Sequence, residues 1–216
     1  SIETVGVLTA NRPSGLQRVV STTAENAAQH GRRVQFVVAD DSNAENAQAN
    51  LAALAEIKRR FGVGVAYAGP AEKNAYARRL AQHCDVPLNV VLAAFQHPAG
   101  WPPAPGANRN VLLLHTVGEA FLSLDDDMVC RIGRLPEEAP GLALSGESDP
   151  TAWWFYANPE TTIAQTQFVD EDVLALHESL LGMNVGRLTS ERLGTGQLDL
   201  DGLTDGFLEN MAVDGG

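Results

Sequence analysis

Apolar and polar positions along the chain alternate between two periods. Thr4-Val-Gly-Val-Leu-Thr9 is a short apolar, β-branched run ending at the turn formers Ala-Asn-Arg-Pro-Ser-Gly, which predicts a strand and then a loop. Leu16 to His30 reads as a helix stopped by Gly31. Val34-Gln-Phe-Val-Val-Ala39 is nearly continuous in apolar residues, as in strands buried on both faces, and gives way to Asp40-Asp41-Ser42-Asn43. A helix follows, with Ala47, Leu51, Leu54 and Phe61 on one face. Gly62 to Tyr67 is predicted as a third strand and Glu72 to His83 as a helical stretch. Pro87 to Pro105 reads as a proline-rich loop. Gly106-Ala-Asn-Arg-Asn110 then opens a helical segment through Gly118, and Ala120 to Leu124 is a strand ending in Asp125-Asp126-Asp127. This alternation predicts an α/β fold: a Rossmann-like, mostly parallel sheet with helices on both faces.

Beyond residue 127 the pattern loosens. Leu142-Ala-Leu-Ser is a strand candidate, Trp153-Trp154-Phe155-Tyr156 an aromatic cluster, and Asp170-Glu171-Asp172 leads a helix through Leu181. Residues 194–216 are rich in Gly and Asp and hold no Lys or Arg. No internal repeat is evident, and 216 residues suit one domain.

Charge narrows the chemistry. The net charge is −12, which argues against a nucleic-acid partner, since such binding neutralises phosphates with basic side chains. Residues 1–110 balance at +3 and residues 111–216 at −15. That asymmetry suits a small anion held together with a cation, or an acidic surface that aids solubility. No apolar run is long enough for a transmembrane segment and no signal peptide is visible; with two unpaired cysteines, Cys84 and Cys130, a reducing, cytoplasmic setting is expected.

In parallel α/β sheets ligands gather at the carboxyl ends of the strands. Three such ends here are polar: Thr9-Ala-Asn11, Asp40-Asp41-Ser42 and Asp125-Asp126-Asp127. On an extended chain Asp125 and Asp127 point to one side and Asp126 to the other, so two of the three carboxylates can share a hard divalent ion, Mn or Mg, with diphosphate oxygens. A solvated acidic turn is the plain alternative. Arg109, at a helix start, suits a phosphate or base edge. Gly62-Val-Gly64 precedes a strand, so it is no dinucleotide fingerprint; the chain has no phosphate-binding Gly-x-x-x-x-Gly-Lys loop, and its five histidines lack zinc spacing.

Taken in order, these motifs over residues 4–132 resemble the nucleotide-binding half of GT-A fold glycosyltransferases, most closely the family 2 type, with the acidic triplet matching that family's Asp-x-Asp signature. The resemblance implies a single GT-A-like domain over 1–216, with 1–132 the nucleotide-sugar-binding half and 133–216 the acceptor-side half. It implies that Thr9 and Asn11 line the nucleotide pocket, that Asp41, and after it Asp40, contacts the base, and that Arg109 approaches the base or ribose. Asp125 and Asp126 would sit near the ribose and sugar, and Asp127, with Asp125, would hold the metal. Asp172, then Glu171, would be the catalytic base. The implied reaction is metal-dependent sugar transfer, with inversion, from a nucleoside diphosphate sugar, UDP foremost, to a glycan, lipid-linked or small-molecule acceptor. The rivals are a non-catalytic nucleotide- or glycan-binding module and a sugar nucleotidyltransferase.

Overall fold

The computed structural model describes residues 1–96, 105–134, 142–143, 156–184, 186–188, 191 and 198–199. The chain divides into two compact units, Ser1–Arg131 with Glu171–Ser179, and Ile132–Asp170 with Leu180–Gly216.

The first unit alternates strands and helices: β1 (Thr4–Thr9), α1 (Pro13–Gln29), β2 (Gln35–Asp40), α2 (Ala44–Phe61), β3 (Gly64–Ala68), α3 (Pro70–Cys84), α4 (Leu88–Phe95), α5 (Pro105–His115) and β4 (Phe121–Asp125). Its four strands form one parallel sheet in the order β3-β2-β1-β4, flanked by helices, an arrangement compatible with a Rossmann-like fold. Strand alternation sorts the core. Val5, Val7, Phe36 and Val38 pack with Leu16, Val19 and Val20 of α1 and Leu54 and Ile57 of α2. Leu8, Val37 and Ala39 pack with Leu112 of α5. Every residue of β1 is buried, as its unbroken apolar run requires.

Several boundaries move for identifiable reasons. Helix α1 begins at Pro13 because proline's fixed φ and missing N–H suit the first helical turn. Gly62 belongs to no strand: it caps α2 with φ 67°, a left-handed conformation that glycine adopts without strain. The region predicted as a loop from Pro87 to Pro105 contains α4, whose Val91 and Phe95 pack against Ala77 and Ala81 of α3. Its proline flanks and paired valines hid an eight-residue apolar helix. The remainder of that stretch, 97–104, lies outside the described residues.

The second unit contains β5 (Ile132–Arg134) antiparallel to β7 (Gln167–Val169), β6 (Leu142–Ala143) parallel to β8 (Leu198–Asp199), and α6 (Pro159–Gln165). Trp153, Trp154 and Phe155 lie outside the described residues, as does most of the 194–216 tail. Among the described residues no helix is long and apolar enough to cross a membrane.

Helix α7 (Val173–Leu180) contributes Leu174 to the core beside α1. Arg32, in the turn before β2, grips its start and its last turn. Nε binds Asp172 at 2.5 Å, and the two terminal nitrogens reach the two oxygens of Glu178 at 3.0 and 2.9 Å. The Ile2 N–H also donates to Glu178. Arg32 and then the Ile2 N–H hold the Glu178 carboxyl down at about 2, from an ordinary 4.5. Burial pushes Asp172 upward, but Arg32 and the Ala175 N–H outweigh it and its pKa also falls. A carboxylate whose folded pKa is depressed stabilises the fold above its unfolded pKa and loses that contribution as protons return. The urea midpoint is therefore expected to fall as pH drops from about 4.5 towards 2, and Arg32→Met should flatten that dependence. A profile as steep in Arg32→Met as in the parent would show that the cluster is not responsible.

Candidate functional site

Chain order explains where a cleft forms. From β1 the chain builds outward through β2 to β3, then returns to place β4 on the other side of β1. The loops leaving β1 and β4 therefore diverge, and the gap outside such a switch point is where open α/β sheets take ligands. A cavity of about 560 Å³ lies there, lined by residues that include Thr9, Asn11, Arg12, Asp41, Arg109 and the three aspartates 125–127. Its volume is in the range of small-molecule sites.

Within the triplet the residues differ sharply. Asp126 is 6% exposed, whereas Asp125 and Asp127 are open to solvent. Asp126 accepts hydrogen bonds from Thr9 Oγ1 at 2.8 Å and from the Arg12 guanidinium at 3.1 Å. Arg12 also lies 3.6 Å from Asp127. The middle carboxylate thus ties the loop after β1 to the loop after β4, while its two neighbours stay exposed at the same cavity. Strand β4 ends at Asp125, so Asp126 and Asp127 lie in the turn beyond it, where strand alternation does not apply and Arg12 reaches both. The close approach depends on Gly15, where a Cβ would meet the Asp126 carbonyl oxygen at 2.7 Å. That oxygen is backbone and cannot swing aside. Gly15→Ala is expected to cost about 1–3 kcal/mol, as overpacking does, read as a lowered thermal midpoint. A midpoint equal to the parent's would mean that α1 has room to retreat.

A second group of residues holds the loop after β2. Asn11 has φ 58°, a left-handed conformation that Asn tolerates better than most side chains. Its N–H donates to Ser42 Oγ, and its side-chain oxygen accepts from the N–H of Asn43 and from Asn46. Asn11 therefore lines the cavity with its amide oxygen already engaged. Asp40 is fully buried and accepts from the Ser42 N–H, Asn50 Nδ2 and Tyr67 Oη at 2.7–2.8 Å. It does not line the cavity, so of the two aspartates expected to contact a base only Asp41 is at hand there. Burial first, then the bond to Asp40, raises the Tyr67 hydroxyl's pKa and keeps it a donor.

Asp41 does line the cavity. Its Oδ1 accepts from Lys73 Nζ at 2.5 Å, while Oδ2 is buried and accepts nothing among the described residues. Lys73 is itself 2% exposed, and its ammonium also reaches the Asp40 carbonyl and the side-chain oxygen of Asn108. Lys73, Arg12 and Asn108 are the residues that motif reasoning passed over. The one available signal was scarcity, since the chain has only two lysines, Lys58 and Lys73.

Asp172 and Glu171 are not brought to this site. Asp172 is paired with Arg32 ahead of β2, and the Glu171 carbonyl accepts from Asn26 near the end of α1. Both sit at the amino end of the sheet, a strand length of about 20 Å from Thr9 and Asp126 at its carboxyl end. The expectation of a base there is corrected: the acidity before α7 serves as a helix cap, with Asp172 Oδ1 accepting from the Ala175 N–H, and as a clamp on Arg32.

Among the described residues no three His, Cys, Asp or Glu side chains converge to hold a metal by protein ligands alone. What the cavity does present is two exposed carboxylates, Asp125 and Asp127. That donor set fits a hard divalent ion completed by phosphate oxygens and water, with Asp127 shared with Arg12. Comparison with known protein families, with curated proteins and with solved structures returned no match to this chain.

Proposed function

We propose that the first unit binds a nucleoside diphosphate sugar and that the protein is a metal-dependent glycosyltransferase. The observation that carries this reading is the cavity at the β1/β4 switch point, where Arg12 and Arg109 share the walls with Asp41, Asp125 and Asp127. A cavity with only carboxylates would repel a diphosphate. One with only arginines would have no use for a cation. The mixture suits an anion that arrives with its counter-ion.

The roles follow from placement. Asp41 lines the cavity and brings a carboxylate there, an acceptor type matched to the imide N–H of a uracil-type base. Arg12 and Arg109 hold the diphosphate, and Thr9 keeps Asp126 and Arg12 in place. A divalent cation on Asp125 and Asp127 would supply charge neutralisation of the leaving diphosphate as the anomeric bond breaks. Calorimetry with UDP, GDP and dTDP, with and without Mn²⁺, followed by donor hydrolysis, tests the reading. UDP should bind tightest and only with the ion, and UDP-sugar should be hydrolysed. Binding without turnover would make the unit a nucleotide-recognition module, and no binding of any nucleotide would overturn the proposal.

A further inference from the structure

A second cavity, of about 390 Å³, lies in the first unit beneath the helices α3, α4 and α5. Its walls differ in kind from those of the first. Tyr76 and Phe95 form a tilted aromatic pair with ring centroids 5.7 Å apart, and Val111 and Leu114 face them from α5. Tyr76 and Leu114 are each 41% exposed, so apolar surface stays open to an occupant at the cavity's rim.

The charged groups around it are not equivalent. Lys73 contributes only its stem, because its ammonium is bound to Asp41 and Asn108. Glu72 accepts from the Gly69 N–H at the start of α3. Arg79 and His115 complete the lining, and neither has an ion-pair partner among the described residues. Glu72 keeps its negative charge at the start of α3, so the cationic end of the cavity is at the Arg79 guanidinium, seven residues further along the same helix, in a chain whose net charge is −12. Guanidinium geometry suits planar or tetrahedral oxyanions, and an aromatic-lined cavity suits a flat or aliphatic body.

We infer that this cavity is a second ligand site, for a small amphipathic anion: its apolar body lies between the Tyr76–Phe95 pair and Val111–Leu114, and its acidic group pairs with Arg79. The site is separate from the proposed donor pocket and does not depend on the reaction proposed there. Two fluorescent probes test it on the full chain. 8-Anilinonaphthalene-1-sulfonate carries the anion, and N-phenyl-1-naphthylamine is its neutral counterpart. The sulfonate should bind saturably at one site per chain. Arg79→Glu, at an exposed helix position, should weaken the sulfonate at least tenfold and the neutral probe less than twofold. Leu114→Trp, which fills the cavity, should abolish both. The inference is overturned if the sulfonate does not saturate, if Arg79→Glu leaves its affinity unchanged, or if Leu114→Trp binds it as the parent does. Arg79→Glu alone keeps the test decisive if Leu114→Trp does not fold.

Discussion

Asp126→Ala and Asp127→Ala are expected to separate two roles that adjacent carboxylates share out. Asp126 is buried and accepts from Thr9 and Arg12, so its loss strands a buried hydroxyl and releases the loop after β1. Removing a charged partner from such a network costs about 2–3 kcal/mol, and the thermal midpoint should fall by several degrees. Asp127 is exposed, and its contact with Arg12 is a long 3.6 Å pair between solvated groups. Exposed pairs of that kind contribute about 0–1 kcal/mol, so Asp127→Ala should melt like the parent. Its effect should appear elsewhere, as loss of Mn²⁺-dependent UDP binding by at least a hundredfold. Asp126→Ala should lose both stability and binding. Thermal melts and calorimetry on the two variants check this directly. If Asp127→Ala binds nucleotide and Mn²⁺ as the parent does, the metal role proposed for the triplet is wrong, whatever Asp126 does.

The sheet was legible because its information is local. Runs such as Val34–Ala39 announce strands buried on both faces, and polar residues stop them where the sheet ends. The triplet Asp125–Asp127 was legible as the polar end of β4, because a strand stop needs only consecutive residues. Three things were not local. Helix α4 is eight residues with a proline at its N-cap, and only packing against α3 identifies it. Asp40 and Asp41 are neighbours of one residue type, and what separates them is Tyr67 and Asn50 on one side and Lys73 on the other. The Asp170–Asp172 run has the same composition whether it faces a substrate or caps a helix, and Arg32, some 140 residues earlier, decides which. In each case the deciding partner is remote in sequence, so spacing carried no signal of it.

Lys73→Met is expected to be the most damaging single substitution at the site. A lysine is almost never fully buried unless paired, and here a side chain only 1% exposed satisfies all three of its donors, on the Asp40 carbonyl, Asp41 and Asn108. Methionine matches the stem and removes the charge, leaving Asp41, only 16% exposed, without its counter-ion. Breaking one side of a buried pair costs about 3–5 kcal/mol, most of it the penalty on the charge left behind. That account makes a second, sharper claim. Lys73→Met with Asp41→Asn should be less destabilised than Lys73→Met alone, because the stranded carboxylate is gone. Urea unfolding of the parent, the two single variants and the double variant closes the cycle. Nucleotide binding should remain poor in the double variant even as stability returns, because Asp41 no longer presents a carboxylate to the cavity. Additive losses would mean that Lys73 acts through packing of its stem and that the ammonium is not what sets Asp41 in place.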